Sequence, residues 1–261
     1  MNIEHISVSR KQCFDSCQAQ YKYRYHLKIL SQEPTADHFT YGKMVHKVAE
    51  HYVMEKGKRN IEDIASDLIN GKIMLEANSP CPPLPSAYKN KFPVHLKNLK
   101  TITDRIGYDG HLEWEFNHDL KAPDGKMIKG FIDRLIIRGE KFYILDYKTT
   151  KKGIWRKNKG NIGKDLQLRC YGRIVQKHFG AKPENIKAAL FYLEGAELVA
   201  TGFTQESLDS AQKELTDTYD RIKTADPDLV MGTTGTHCRF CDYRKNCPFY
   251  KSKFDMNLDY L

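Results

Sequence analysis

The stretch FIDRLIIRGEKFYILDYKTT, Phe131 to Thr150, constrains this chain more than any other, because its two apolar runs carry charges that a buried strand does not tolerate. Strand periodicity puts Phe142, Ile144, Asp146 and Lys148 on one face and Tyr143, Leu145 and Tyr147 on the other. Gly139-Glu140 between the runs suits a two-residue hairpin with glycine at its first central position. Such a turn pairs residue 138 with 141 and, carried back along the ladder, sets Asp133 opposite Asp146 with both side chains on one face. Like charges directly opposed destabilise a sheet unless something positive lies between them. A divalent cation meets that need, and oxygen-rich carboxylate sites suit Mg²⁺ or Mn²⁺. The pattern equally fits two solvated carboxylates with Lys148 as counter-ion, and a longer loop would shift the register.

The rest of the chain reads as an ordered series of elements. Ser7 or Ser9 caps a helix predicted to run to about His26, and TYGKMVHKVAEHYVMEKG is a second helix. Helical stretches follow near 61–76 and 86–106. GHLEWEFNHDL opens a run of three strands, KDLQLRCYGRIVQKHFG is a helix stopped by Gly180, IKAALFYLEG and ELVATGFT form a strand pair, and TQESLDSAQKELTDTYDRIKTADPD is a capped helix. This order predicts an α/β sandwich with a mixed sheet. The expected organisation is one domain over 1–261: residues 1–106 mainly helical, 107–225 an α/β core, and 226–261 a Cys-rich tail. With 261 residues and 40% hydrophobic content the chain can bury such a core. Forty-two Lys and Arg against 33 Asp and Glu give a net charge of +9, which favours a polyanionic partner. No stretch approaches the roughly 20 apolar residues of a membrane span, and MNIEHISVSRKQ lacks a signal core, so a cytoplasmic protein is expected. Seven cysteines, three of them crowded near the C-terminus, fit metal ligation better than a disulfide framework.

Four ordered motifs, Gly42-x-x-x-His46, Gly130-x-x-Asp133-Arg134, Leu145-Asp146-Tyr147-Lys148-Thr149 and Gln167-Leu168-x-x-Tyr171, resemble the RecB-like branch of the PD-(D/E)xK nuclease superfamily. The resemblance covers most of the chain and implies a restriction-endonuclease-like core, with a central mixed sheet flanked by helices. It also implies roles. Asp133 and Asp146 would hold the catalytic metal, together with the Tyr147 carbonyl and the His46 imidazole. The metal would activate a water and neutralise charge on the scissile phosphate. Lys148 would orient the attacking water or stabilise the developing phosphate charge, and Gln167 and Tyr171, four apart on one helix face, would brace Lys148 or touch the DNA backbone.

Cys238-x2-Cys241-x5-Cys247-Pro248 is a ligand cluster followed by proline, a context common at iron–sulfur sites. The segment around Cys17 resembles the N-terminal piece that donates one ligand to the 4Fe-4S cluster in AddB-like and CRISPR-associated RecB-like exonucleases. Cys17, Cys238, Cys241 and Cys247 are the expected set, with Cys13 a competitor one turn earlier and a Cys₄ zinc the alternative metal. Cys81 and Cys170 read as buried or incidental thiols. The loop KTTKKGIWRKNKGNIGK carries Lys151, Lys152, Arg156, Lys157 and Lys159 with Trp155 among them, which suits a phosphate-binding flap with one stacking aromatic or a solvated basic loop. The expected activity is metal-dependent hydrolysis of DNA, as an exonuclease on single strands or ends, in recombination, repair or phage DNA processing. No G-x-x-x-x-G-K-[ST] motif is present, so any helicase motor would come from a partner. A CRISPR-adaptation nuclease and a non-cleaving nucleic-acid-binding protein are the alternatives.

Overall fold

The computed structural model describes residues 1–31, 36–119, 127–151, 153 and 156–250, with the backbone alone at 117–119. Lys152 and Trp155, two of the expected nucleic-acid contacts, lie outside the described residues. The chain divides into two compact units, one of Ala36–Glu115 and Phe131–Asp209, the other of Met1–Thr35, Phe116–Gly130 and Ser210–Leu261.

The larger unit is built on the hairpin of β3 (Met127–Arg138) and β4 (Lys141–Lys148). Arg138 pairs with Lys141, and Gly139 between them has a φ of +59°, a conformation that a residue without Cβ reaches freely. The expected register holds to Arg134↔Leu145, where the ladder stops one step short of the acidic pair. β5 (Ile186–Tyr192) runs parallel to β4, and Phe142 through Lys148 pair with Ile186 through Tyr192. Parallel neighbours need a crossover rather than a tight turn. It is supplied by α6 (Leu166–Phe179), capped by the Asp165 carboxylate, which accepts from the Leu168 N–H, and ended by Gly180 at a φ of +66°. β6 (Glu197–Gly202) returns antiparallel to β5, and β2 (His111–Asp119) pairs with β3.

Both faces of this sheet are covered, which is why β4 and β5 are almost continuously apolar. Helices α3 (Asp37–Met54), α4 (Ile61–Ile69) and α5 (Phe92–Ile106) bury Met44, Val48, Ile64 and Leu99 with Leu145, Tyr147, Phe191 and Leu193. α6 covers the opposite face, where Phe179 packs on Phe142 with ring centroids 5.2 Å apart. This is the α/β architecture, a mixed central sheet flanked by helices, that the resemblance implies. Two predicted helices are shorter than their apolar patterns. α4 stops at Ile69 because Gly71, at a φ of +73°, turns its N–H back to the Leu68 carbonyl. α5 begins only at Phe92, with Pro93 in its first turn, where the missing N–H costs nothing.

In the smaller unit a two-residue strand, β1 (His5–Ile6), pairs in parallel with Met127 and Ile128 of β3, too short for any periodicity to reveal. Ser7 caps α1 (Val8–Ser16) through its Oγ, which accepts from the Arg10 N–H at 3.1 Å. The single helix expected to reach His26 is broken at Cys17, whose backbone is extended, before α2 (Gln18–Tyr21) and a π-helical turn over Lys22–His26. The C-terminal part of α7 (Gln205–Thr224) joins this segment through Arg221 Nη1 to Asp15 Oδ1 at 2.9 Å and the Tyr219 hydroxyl to the Ile3 carbonyl at 3.2 Å. Gly130 of the G-x-x-D-R motif has a steric reason. A Cβ there would meet the Phe116 ring at 2.5 Å. Among the described residues no helix is long and apolar enough to cross a membrane.

Candidate active site

The ladder's early end sets the geometry of the acidic pair. One residue beyond Arg134, Asp133 replaces a main-chain acceptor with its own side chain, and its Oδ2 accepts from the Tyr147 N–H at 2.8 Å. Asp133 and Asp146 are both buried. On the α3 side, His46 Nε2 donates to the Tyr147 carbonyl at 2.9 Å, and its Nδ1 lies 3.5 Å from Asp133 Oδ2. Asp146 Oδ2 is 2.6 Å from Lys148 Nζ, an ion pair whose angles do not make a hydrogen bond, so this buried oxygen keeps an acceptor that a cation would satisfy. Lys148 Nζ donates to Gln167 Oε1 at 3.1 Å, and Gln167 Nε2 donates to the Tyr171 hydroxyl at 2.6 Å. All seven expected active-site residues, His46, Asp133, Asp146, Tyr147, Lys148, Gln167 and Tyr171, therefore fall in one connected group within the larger unit.

Glu113 joins them, and the sequence reading missed it. The ligand atoms of His46, Glu113 and Asp133 lie within 4.8 Å of one another, with Glu113 Oε1 3.9 Å from His46 Nδ1. Period-two reading of LEWEF places Glu113 and Glu115 on the same face and cannot choose between them. The backbone chooses, since Glu113 has a φ of +43°, a left-handed conformation unusual for a residue with a side chain and costing about 1–3 kcal/mol. The only signal in the sequence was an acid in the strand just before the hairpin.

The charges of this group adjust to one another. Burial draws the His46 imidazole down, but Asp133 more than offsets it and raises the group to about 9. Burial, then Asp133, pushes Glu113 up to about 7. Burial also raises Asp146 to about 6 against the pull of Lys148, whereas the cations of His46 and Lys148 hold Asp133 below its ordinary value despite its burial. Two carboxylates sharing one site are thus driven apart in acidity. The donor set, three carboxylates, an imidazole and a carbonyl, fits a divalent oxygen-seeking cation.

The basic loop divides. Lys151 and Lys159 are exposed, and Lys157 Nζ lies 3.8 Å from Asp165 Oδ2. Arg156, expected to face nucleic acid, turns inward instead, its side chain only 7% exposed. Its guanidinium donates to the Thr150 and Glu194 carbonyls at 2.8 and 2.6 Å, reaches the Glu197 carboxylate at 3.3 Å and stacks 4.6 Å from the Tyr192 ring centroid. The local sequence could not show this, because Glu194 and Glu197 arrive some 40 residues later.

In the smaller unit, Cys17, Cys238, Cys241 and Cys247 line one cavity, which Cys13 does not. The extended backbone at Cys17 takes that residue out of the helical course on which Cys13 remains. The Gly235 N–H points at Cys238 Sγ at 3.4 Å. Cys81 and Cys170 are buried elsewhere, and burial raises the Cys170 thiol to about 12, as suits an inert side chain.

Two measurements test this geometry. His46, Glu113 and Asp146 all bind protons more tightly when folded, so the stability they contribute is whole below their unfolded values of 6.5, 4.5 and 3.8. It is lost as pH rises through about 6, 7 and 9 in turn. Asp133 acts oppositely, but only at pH values near and below 3.8. The Tm in EDTA should therefore fall steadily from pH 5 to 9, and the Tm gained on adding Mn²⁺ should grow over the same range; a pH-independent gain contradicts the assignment. For the loop, Arg156→Ala should lower unfolding stability by about 1.5–3 kcal/mol in urea titrations, the scale of hydrogen bonds from a charged group. Arg156→Lys should recover little of it, because an ammonium cannot bridge both carbonyls.

No curated protein sequence matches the chain at a significant level. Among solved structures, a protein from Eubacterium rectale named "Putative exonuclease" superposes with a TM-score of 0.52 at 17% identity, over 94% of this chain and 88% of that one. Another solved chain, SSO0001, aligns over 89% of this chain and 95% of its own at 15% identity, with a TM-score of 0.39. The family model of the PD-(D/E)XK nuclease superfamily matches residues 5–248. With nearly its whole length matched, and with both acids, the lysine and their hairpin in place, this chain belongs to the PD-(D/E)XK nuclease superfamily.

Proposed function

We propose that the protein is a divalent-metal-dependent DNA nuclease of the RecB-like branch, acting as an exonuclease on single strands or DNA ends in recombination, repair or phage DNA processing. One observation carries this reading. Asp133, Asp146 and the Tyr147 carbonyl converge beside the Lys148 ammonium, 2.6 Å from Asp146. His46, Asp133, Asp146, the Tyr147 carbonyl and Glu113 would hold Mg²⁺ or Mn²⁺. When bound, that ion supplies positive charge for the scissile phosphate and a water of lowered pKa.

The side chains of this protein do the rest. Burial lowers Lys148, but Asp146 outweighs it and holds the ammonium charged above its ordinary range, so Lys148 serves as a point charge for water or phosphate rather than as a base. Gln167 fixes its aim. The Gln167 amide nitrogen is taken by the Tyr171 hydroxyl, so its oxygen faces the ammonium. Asp133 is held by the Tyr147 N–H, and Asp146 is ion-paired with Lys148. Lys151 and Lys159, both exposed, would meet the DNA backbone, and the net charge of +9 favours a polyanion. The name of the Eubacterium rectale neighbour supports an exonuclease over an endonuclease.

The cavity of Cys17, Cys238, Cys241 and Cys247 would hold a 4Fe-4S cluster. The proline that follows Cys247 is the context that favours a cubane cluster over a Cys₄ zinc.

Digestion of end-labelled DNA with Mn²⁺ tests the activity. Linear substrates should lose terminal nucleotides and circular ones survive. Asp146→Asn and Lys148→Ala should each lower turnover by about 10²–10³-fold, the scale of removing one charge-stabilising group. Near-normal cleavage by Asp146→Asn at saturating Mn²⁺ would refute the active site, and cleavage of circles would refute the exonuclease. For the tail, anaerobically purified protein should be brown with about four irons per chain, the content of a cubane cluster. Cys247→Ser should lose iron and Cys13→Ser retain it; colourless protein with one zinc per chain would rule the cluster out.

A further inference from the structure

Residues 132–136 of β3 are all buried, yet Phe131, immediately before them, is 46% exposed. Strand alternation puts its side chain on the Asp133 face, with about 6.6 Å between the two Cα atoms. The β3–β4 ladder ends at Arg134↔Leu145, so no β4 residue pairs with Phe131. The ring therefore lies open to solvent next to the proposed cation site.

Helix α3, which carries His46, repeats the arrangement. Phe39 is 58% exposed, and Phe39, Lys43 and His46, at i, i+4 and i+7, share one helix face. About 10.5 Å of helix axis separates Phe39 from His46, and Lys43 between them is exposed as well. Among the described residues of the larger unit, Phe39 and Phe131 are the only exposed phenylalanines. A single exposed phenyl is ordinary on a protein surface. Two such rings, on the strand and the helix that supply Asp133 and His46, are better explained by what the site receives. Duplex bases stack on one another, whereas a base of a single strand can lay its face on an aromatic ring.

We infer that Phe131, with Phe39 as a second ring, is a base-stacking residue that makes the site take an unpaired strand. The inference rests on the nuclease reading proposed above and narrows its substrate to single-stranded DNA. Stacking of this kind tolerates any base, because every base has a flat π-face, so it selects for strandedness and not for sequence.

Affinity for a short single-stranded DNA, measured in Ca²⁺ to suppress cleavage, tests it, with a closed-ended DNA dumbbell as the duplex control. Phe131→Leu keeps an apolar side chain but removes the flat ring. It should bind the single strand about 5–150-fold more weakly, the scale of losing one stacked base, and bind the dumbbell and Mn²⁺ as wild type does. Phe131→Trp should keep single-strand affinity, and its added fluorescence should be quenched by the single strand and not by the dumbbell. Phe39→Leu should show a smaller loss in the same direction, and wild-type affinity there removes that ring from the inference. Wild-type single-strand affinity in Phe131→Leu overturns the inference, as does an equal loss on the dumbbell. A parallel loss of Mn²⁺ affinity also overturns it, since the ring would then support the cation site and not a base. Should Phe131→Leu fail to fold, absence of quenching in Phe131→Trp overturns it. Near-normal cleavage by Asp146→Asn would refute the active site itself, a failure distinct from that of the stacking ring.

Discussion

The hydrogen bond from the Tyr147 N–H to the Asp133 carboxylate marks the point where β3 and β4 part, and the active site depends on that parting. Up to Arg134↔Leu145 the two strands satisfy each other's main chain. Beyond it, β4 continues only with β5, through Lys148↔Tyr192. A buried N–H left without a partner costs about 1–3 kcal/mol. By filling that vacancy with a side chain, the protein opens the sheet and places a carboxylate there in the same step. Asp133 thus completes the strand pairing and is also one of the ligands proposed for the cation.

The second constraint is charge. Three carboxylates, an imidazole and an ammonium share a small volume largely removed from water. Without a cation they compensate internally. His46 bridges Asp133 and the Tyr147 carbonyl, Lys148 pairs with Asp146, and Glu113 and Asp146 take up protons more readily than usual. The imidazolium bridges two of the oxygens that a metal would join, which explains how the group can persist in a folded chain while remaining suited to bind one.

The smaller unit gathers the two ends of the described chain with the strand segment around Ile128. Buried Ile6, Phe14, Ile128, Leu215 and Ile222 give it an apolar centre, and its polar ties include Arg221 to Asp15, Tyr219 to the Ile3 carbonyl, and Arg24 to Asp242. A metal held as proposed by the four cysteines around one cavity would add a further tie. The broken helix at Cys17 follows the same logic, since an unbroken α1 would have kept Cys17 on the helical course of Cys13.

What the sequence determined by itself was local. Period-two alternation and a glycine able to take positive φ were enough for the hairpin and its register as far as Arg134↔Leu145. Gly180 marked the end of α6 for an equally local reason. The order of the elements, and with it the α/β class, followed from apolar periodicity. Tertiary structure decided the rest. It separated Glu113 from Glu115 through one unusual backbone angle, turned Arg156 from a surface cation into an internal clamp, and chose Cys17 over Cys13 for the cavity. It also revealed β1, whose two residues carry no period. In each of these cases the deciding partner lies far away in the chain, Asp133 for Glu113, Glu194 for Arg156, Cys241 for Cys17 and Met127 for His5. Short-range pattern records which faces a segment can offer, and only packing settles what each face meets.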